Sequence, residues 1–331
     1  MKILYINESP EVHEQYLKGL IPSHWFYGAV EMEKDGHDVI WCKEERRTTY
    51  DLSLVLKYHP DIIYLPNLNI RNHVLLLLLV WLHIIHVPVF AYLHHAPKLD
   101  EGWKIRLYKI LLPILKHVFF LSDRSMNETI ERGFLGADKC SVPGWGADRV
   151  FYDKVKTSDN GYFVSTGKEN RDFDILIEAF RKTGAPLKIM TAKSHAGSDY
   201  TNLETKCKDI PNIEVVLTEN SSNVFPMMLE AMAQARALVC PLRQDRLDYC
   251  VGLSTIADAE GLRKPLIITR NPYHTTDRMR KFDIVTSVDD WVNAIERIRH
   301  TDIERPKDKN VLYNEYSMQN AYLRMKKVMN L

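Results

Sequence analysis

The chain has 331 residues, of which 45% are apolar and 26% are charged, and its formal net charge is +1. This length allows two domains of ordinary size, and the balanced charge argues against a general nucleic-acid-binding protein, which usually carries a basic surplus. The five cysteines are scattered and include no C-x-x-C pair, which argues against a disulfide framework and a zinc site and favours a reducing, cytoplasmic compartment.

Strand and helix patterns alternate along the first half of the chain. The expected strands cover residues 2–6, 37–42, 61–65, 88–93, 117–121 and 139–143. The expected helices cover residues 25–35, 53–58, 71–85, 102–116 and 123–132, and residues 7–23 are expected to form a loop. The first apolar run is too short for a signal peptide. Continuous apolar strands that alternate with helices favour a parallel sheet covered on both faces.

One apolar stretch, residues 74–93, is almost free of charge and about long enough to cross a bilayer. His83 and His86 interrupt it, and Pro88 divides it into two pieces. We therefore expect a buried helix followed by a buried strand. The two histidines have no acid pair beside them, so they do not predict a metal site.

After a linker at residues 144–161 the alternation starts again. The expected strands cover residues 162–165, 187–191, 213–217, 237–241 and 265–269. The expected helices cover residues 172–182, 200–207, 224–234, 289–299 and 312–328. The sequence thus predicts an α/β protein with two Rossmann-like, doubly wound domains facing a cleft, residues 1–150 and 151–308, and a C-terminal helix within residues 309–331.

The segment GLSTIADAEGLRKPLI, residues 252–267, predicts a loop, a further helix and a strand. Gly252, Ser254 and Thr255 open it, and its small and apolar residues recur at helical spacing. The N–H groups of a first helical turn, together with the helix dipole, form a ready site for an anion such as phosphate.

Five motifs, in order, resemble those of the GT-B fold glycosyltransferases, and in particular of the retaining enzymes of family 4. In the second domain, STGKENRDFDILIEAF (165–180) resembles that family's glycine–basic loop and helix, and residues 252–267 resemble its nucleotide-sugar motif. In the first domain the motifs are HWFYGAVEMEKDGHDV (24–39) and PVFAYLHHAP (88–97). PGWGADRVFY (143–152) resembles the P-x-G-(V/A)-D-x-x-x-F hinge.

The resemblance implies transfer of a sugar from a nucleotide-diphosphate donor to a glycan or lipid-linked acceptor, with a natural role in the synthesis of a surface polysaccharide. It implies a metal-independent reaction with retention of configuration, and no cofactor besides the donor substrate. The first domain would bind the acceptor, the second domain would bind the donor, and the final helix would return toward the first domain.

The donor-binding residues are expected in loops that follow strands of the second domain. Lys168 and Arg171 match the family's two cationic positions, which would stabilise the charge that develops on the leaving diphosphate. Asp258 falls where the family's glutamate accepts hydrogen bonds from the ribose hydroxyls. The alternative for Lys168 and Arg171 is that they are surface charges beside a helix capped by Asp172. The alternative for Asp258 is that it is a solvated acid on a helix. The full set of expected donor-binding residues is Gly167, Lys168, Arg171, Lys193, Ser194, Arg243, Gly252, Leu253, Ser254, Thr255 and Asp258.

Two histidines are predicted as catalytic residues. His94 follows a buried strand at the position of the family's cleft histidine, where it would donate to a sugar hydroxyl or steer the leaving group. His95 is next to it and is the alternative for the same role. The structural alternative is that His94 is a core histidine whose ring nitrogens form hydrogen bonds within the protein.

Departures from the family pattern leave rival functions open. Cys250 stands in place of the first of the family's two glutamates, Asp258 in place of the second, and Arg263 in place of a glycine. The rivals are a nucleotide-sugar 2-epimerase on the same fold and a non-catalytic, glycosyltransferase-like partner subunit. The basic amphipathic stretch at residues 103–116 is a candidate for peripheral contact with an anionic membrane, or else a solvated helix face.

Overall fold

The computed structural model of the protein describes residues 1–99, 102–195, 197–219, 221–301 and 315–331. The chain divides into two compact units. The first comprises Met1–Trp145 and Ser317–Leu331, and the second comprises Gly146–Tyr316. The division falls after Trp145, close to the boundary expected at residue 150.

A parallel sheet forms the centre of the first unit. Its strands are β1 (Lys2–Asn7), β2 (Asp38–Lys43), β3 (Ile62–Leu65), β4 (Val89–Leu93), β5 (His117–Phe120) and β6 (Cys140–Ser141). They lie in the order β2-β1-β3-β4-β5-β6, and every pairing is parallel. Strands β3, β4 and β5 are buried at every position, as their uninterrupted apolar runs predicted for a sheet covered on both faces.

The helices of the first unit differ from the expected ones at several ends. They are α1 (Pro10–Leu17), α2 (Ala29–Lys34), α3 (Tyr50–Tyr58), α4 (Val74–Trp81), α5 (Trp103–Leu111) and α6 (Asp123–Glu131). Helix α1 occupies the stretch expected to be a loop, because a proline and an acid in its first turn favour a helix start. Helix α2 starts late, because Tyr27 and Gly28 have φ values of 51° and 94°. Helix α4 is shorter and less buried than predicted, and Trp81 is 52% exposed.

A second parallel sheet forms the centre of the second unit. Its strands are β7 (Phe163–Thr166), β8 (Leu187–Ala192), β11 (Ile213–Thr218), β12 (Ala237–Cys240), β13 (Leu266–Thr269) and β14 (Asp283–Val285). Between β8 and β11 the chain forms a small antiparallel hairpin of β9 (Ser194–His195) and β10 (Ser198–Asp199). The order of the large sheet is β11-β8-β7-β12-β13-β14, and every pairing is parallel.

The helices of the second unit cover both faces of this sheet. They are α7 (Arg149–Tyr152), α8 (Phe173–Thr183), α9 (Leu203–Cys207), α10 (Phe225–Gln234), α11 (Leu253–Leu262), α12 (Thr276–Met279) and α13 (Val288–His300). The sequence did not predict α7, α12, β14 or the hairpin, since each is only two to four residues long. Helix α7 lies in the expected linker, where Asp148 caps it by accepting from the N–H of Phe151.

The final helix, α14 (Met318–Met329), packs within the first unit. Ser317 caps its start, and Lys326 pairs with Asp35 at 2.6 Å. Arg324 donates to the carbonyl oxygen of Pro143 at 2.9 Å. The first residues of the helix expected at 312–328 lie outside the described part of the chain. Among the described residues, no helix combines the length and the apolar character that a membrane span requires.

Candidate functional site

The order in which the chain adds strands to the second sheet reverses beside β7. Helix α8 leads from β7 to β8 on one side, whereas β12 joins β7 on the other side after α10. The loops that leave the carboxyl ends of β7 and β12 lie side by side at this point, and the space at the carboxyl ends of these strands, beside the start of α11, is called the crevice. In open α/β sheets ligands bind at such a switch point. Most of the expected donor-binding residues lie in these two loops and at the start of α11.

Backbone hydrogen bonds fasten the two loops to each other. The N–H of Asp172 donates to the carbonyl oxygen of Pro241 at 3.0 Å, and the N–H of Arg243 donates to that of Asn170 at 3.1 Å. The side chain of Asn170 also donates to the carbonyl oxygen of Arg246 at 3.0 Å. The loop after β7 is thus held at a fixed place beside the loop after β12.

Arg171 turns inward from this loop and is only 4% exposed. Its Nη1 donates to the carbonyl oxygen of Glu169 at 2.6 Å, and its Nη2 lies 3.2 Å from Oγ1 of Thr255 at the start of α11. Gly167 has φ 103°, and a Cβ there would lie 2.5 Å from Nη2, so the guanidinium requires a glycine at this place. Within the described ranges no carboxylate pairs with Arg171, and its buried Nε has no hydrogen-bond partner. The guanidinium of Arg171 is therefore a buried cation beside the crevice, and no carboxylate of the described residues neutralises it.

Helix α11 begins without a side-chain cap. Its N-cap is Gly252, with φ 90°, and a Cβ there would meet Sγ of Cys240 at 3.3 Å. The first intrahelical bond runs from Ile256 to Gly252, so the N–H groups of Ser254 and Thr255 precede the hydrogen-bonded ladder. Leu253 and Thr255 are buried, whereas Ser254 is exposed. The start of α11 thus supplies N–H groups beside the guanidinium of Arg171.

Lys168 lies at the outer side of the same loop and is half-buried. Burial lowers its pKa, and the adjacent carboxylate of Glu169 acts in the opposite direction. The pKa of His195 is lowered by burial and then by the charge of Lys168. These three side chains therefore lie near one another at the mouth of the crevice.

Four expected donor-binding residues do not join this group: Asp258, which is described below, and Lys193, Ser194 and Arg243. Lys193 and Ser194 are exposed on the hairpin, and only the neighbouring His195 approaches Lys168. Arg243 forms an ion pair with Asp245 at 3.1 Å, which occupies its charge. The residues that the structure brings together are Gly167, Lys168, Arg171, Gly252, Leu253, Ser254 and Thr255.

Asp258 points into the protein, where it is 7% exposed. The hydroxyl of Tyr152 donates to its Oδ1, a hydrogen bond that joins residues far apart in the sequence. Burial raises the pKa of Asp258 to about 7, and the Tyr152 hydrogen bond opposes this rise. The carboxyl group is therefore already engaged at the position expected to hold ribose. The sequence signal for this partner is Tyr152 itself, which stands at the phenylalanine position of the hinge motif.

Cys250 also lies inside the protein, 2% exposed, and burial raises the pKa of its thiol to about 12. Neither of the two positions where the resembled family has glutamates therefore offers an exposed, ionised carboxylate in this chain.

The expected catalytic histidine lies in the first unit. His94 follows β4 and is half-buried, and its Nε2 lies 3.0 Å from the carbonyl oxygen of Pro66. A carbonyl oxygen only accepts, so Nε2 carries the proton and Nδ1 keeps its lone pair. Burial lowers the pKa of His94 to about 4, and the neighbouring His95, which is exposed, lowers it further. The free ring nitrogen is thus an acceptor, opposite to the donor role predicted from the sequence.

The part of the chain that the structure describes contains no group of three or more His, Cys, Asp or Glu side chains placed to hold a metal ion. The cationic and N–H groups described above are the charged and polar features of the site.

Solved structures of similar fold cover almost the whole chain. A glycosyltransferase from Rickettsia africae ESF-5 is 14% identical, with a TM-score of 0.60, over 99% of this chain and 98% of the other. AviGT4, a glycosyltransferase involved in avilamycin A biosynthesis, is 10% identical, with a TM-score of 0.63, over 100% and 97% of the two chains. UDP-GlcNAc 2-epimerase from Neisseria meningitidis, solved bound to UDP-GlcNAc, is 10% identical, with a TM-score of 0.58, over the whole of both chains.

These similarities show the fold. The chain has the two Rossmann-like α/β domains of the GT-B glycosyltransferases and of the epimerases that share their architecture. No protein-family model and no curated protein matches the chain.

Proposed function

We propose that the chain is a glycosyltransferase that moves a sugar from a nucleotide-diphosphate donor to a glycan or lipid-linked acceptor. The observation that carries the proposal is the buried guanidinium of Arg171, which forms no ion pair with a carboxylate in the described part of the chain, beside the uncapped start of α11 at the switch point of the second sheet. A buried cation without a carboxylate is costly unless an anion completes the site. A donor diphosphate supplies such an anion.

The chemistry follows from where charge develops during transfer. When the bond between the sugar and the diphosphate breaks, negative charge increases on the leaving phosphate oxygens. Fixed N–H groups of Ser254 and Thr255 and the charge of Lys168 then bind the transition state more strongly than the ground state. We propose that these groups act without a metal ion, and that configuration is retained, as in the family that the sequence resembles. Synthesis of a surface polysaccharide is the role proposed for the product.

The proposal is tested by binding. Calorimetric titration of the purified chain with UDP, GDP, ADP and CDP, and then with their sugar conjugates, should identify one base that binds at micromolar concentration. Arg171→Met should abolish this binding, whereas Arg181→Met, which changes an exposed residue in the last turn of α8, should leave it intact. Binding of none of these nucleotides by the folded wild-type chain would end the proposal.

A 2-epimerase is the second candidate, because an epimerase bound to its nucleotide sugar is among the structures that cover the whole chain. The two reactions differ in their products. An epimerase changes a UDP-sugar in the absence of an acceptor, which NMR of the incubated donor detects at C2. A transferase requires an acceptor and releases the nucleoside diphosphate in a fixed ratio to the product. If the chain binds a nucleotide but catalyses neither reaction, the remaining candidate is a non-catalytic partner subunit.

We also propose that α5 contacts an anionic membrane at its exposed face, where a lipid-linked acceptor would be met. Trp103 is 64% exposed and Ile110 is 48% exposed, and the exposed Arg106 and Lys109 lie on the same helix. Apolar side chains flanked by cations are suited to the headgroup region of a bilayer. Co-sedimentation with phosphatidylglycerol vesicles, but not with phosphatidylcholine vesicles, is the expected result, and Trp103→Ser should reduce it.

A further inference from the structure

A nucleotide-sugar donor carries vicinal hydroxyl groups on its ribose and on many of its sugars. One carboxylate, with two oxygens, suits two adjacent hydroxyl donors. This chain lacks such a group at the two positions where the resembled family has it. Cys250 is a buried thiol, and Asp258 is buried and accepts from the hydroxyl of Tyr152. A diol of the donor therefore needs another acceptor in this chain.

Glu169 is a half-buried carboxylate in the loop between Lys168 and Arg171, at the mouth of the crevice. Its backbone is fixed, because its carbonyl oxygen accepts from Nη1 of Arg171 at 2.6 Å. The next residue, Asn170, is bonded to the loop after β12. The place of Glu169 relative to the start of α11 is thus set by the same contacts that hold the guanidinium.

Tyr249 lies close to the side chain of Glu169, as its charge interaction with that carboxylate shows. The backbone carbonyl of Tyr249 accepts from the side chain of Asn271 at 2.9 Å, which fixes this residue directly before Cys250. Burial raises the pKa of Tyr249 far above its usual range, and the nearby charge of Glu169 raises it further. The phenol therefore stays protonated and is a donor close to the carboxylate of Glu169, whose oxygens are acceptors.

We propose that the carboxylate of Glu169 binds vicinal hydroxyls of the donor, on its ribose or on its transferred sugar, in place of the family's two glutamates. The inference rests on the proposed function. A carboxylate in a phosphate-binding loop would ordinarily repel the diphosphate. Three nearby groups offset that repulsion here. They are the guanidinium of Arg171, which has no carboxylate partner among the described residues, the charge of Lys168, and the N–H groups at the start of α11.

The test uses Glu169→Gln, which keeps the shape and removes the charge. The probes are the nucleoside diphosphate that binds best among UDP, GDP, ADP and CDP, its 2′-deoxy form, and its sugar conjugate. If Glu169 binds ribose, the wild type should prefer the ribonucleotide roughly ten- to a hundredfold and the variant should lose most of that preference. If it binds the transferred sugar, the variant should instead lose the affinity gained from the sugar.

The inference would be overturned if Glu169→Gln kept both the preference for the ribonucleotide over its 2′-deoxy form and the affinity gained from the sugar. Tighter binding of the diphosphate, with both of these ratios unchanged, would overturn it as well. Tyr249→Phe should cause a smaller loss of the same ratio, and it serves as the second variant if Glu169→Gln does not fold. Glu204→Gln, exposed on α9, is the matched control and should change neither ratio. If the wild type binds no nucleoside diphosphate, the proposed function fails together with this inference, whereas binding with unchanged ratios rejects the inference alone.

Discussion

The hydroxyl of Tyr152 donates to the carboxyl group of Asp258, and the ring of Tyr152 lies directly on Gly261, one turn further along α11. The three residues form one fitted contact between α7 and α11. A Cβ at Gly261 would lie 2.3 Å from the ring, so only glycine allows the hydroxyl to reach Asp258. The contact engages the same carboxyl group for which the sequence predicted a hydroxyl-binding role.

Gly261→Ala should destabilise the protein. Glycine inside a helix is normally less stable than alanine by roughly 0.5–1 kcal/mol, so the substitution would ordinarily raise the melting temperature. Here the added methyl group meets an aromatic ring, and overpacking of this kind costs about 1–3 kcal/mol. Urea unfolding measures the difference. Tyr152→Ala should make the substitution at Gly261 tolerable, and a higher stability of Gly261→Ala alone would contradict the fitted contact.

The sequence predicted the fold because the fold depends on local patterns. Apolar runs such as 61–65 and 117–121 became buried central strands, and the start of α11 at Gly252 followed from its glycine and hydroxyl residues. The direction of a side chain has no such local signal. Arg171 was predicted as a phosphate contact, but nothing in its segment indicated that its guanidinium turns inward, where Gly167 leaves room for it and the carbonyl of Glu169 accepts from it. The residues around Asp258 in the sequence did not predict its hydrogen-bond partner, Tyr152, either.

A buried ionic cluster in the first unit predicts loss of stability at alkaline pH. His73 is 1% exposed, and its Nδ1 lies 2.6 Å from Oδ2 of the buried Asp51. Burial alone would lower the pKa of His73, but its hydrogen bond with Asp51 and the charges of Asp51 and Glu44 raise it to about 9. A folded pKa above the unfolded value of about 6.5 gives stability that is complete below pH 6.5 and is lost as the pH rises through 9.

His73→Gln should therefore cost several kcal/mol near pH 6, about 3–5 for a broken buried pair, and clearly less at pH 10. Chemical denaturation of the wild type and the variant at both pH values measures the two differences. His83→Gln, which changes an exposed histidine, is the control and should show no such dependence. An equal cost of His73→Gln at both pH values would show that the imidazole is not charged in the folded protein.

Lys168→Met should weaken binding of the nucleoside diphosphate without lowering stability, because the residue is half-buried at the mouth of the crevice and not in a core. The loss should shrink as the salt concentration rises, since added ions screen the attraction in the wild type. Because burial lowers the pKa of Lys168 below its ordinary value, binding by the wild type should weaken at a lower alkaline pH than it would with an ordinary lysine. Calorimetry at two salt concentrations checks the first effect, with the exposed Lys208→Met as control. Equal affinities of Lys168→Met and the wild type at low salt would remove this cation from the site.

The last prediction concerns His94 and its acceptor nitrogen. With Nε2–H bonded to the carbonyl of Pro66, we expect Nδ1 to accept a hydrogen bond from a hydroxyl of the acceptor or of the sugar. His94→Phe keeps an aromatic ring against Tyr27, whose ring lies 5.3 Å away, and removes the acceptor nitrogen. Turnover should fall roughly 10²–10⁴-fold if this nitrogen takes part in proton transfer, while donor affinity stays unchanged.

The pH profile separates this role from a charged one. Because the pKa of His94 is about 4, the imidazole is already neutral at pH 5 and above, and it contributes no acid limb to turnover between pH 5 and 8. His95→Phe, at the exposed neighbour, should keep nearly full turnover. A limb near pH 6.5 that disappears in His94→Phe would mean that the ring is protonated in the working enzyme, and therefore that it donates and does not accept.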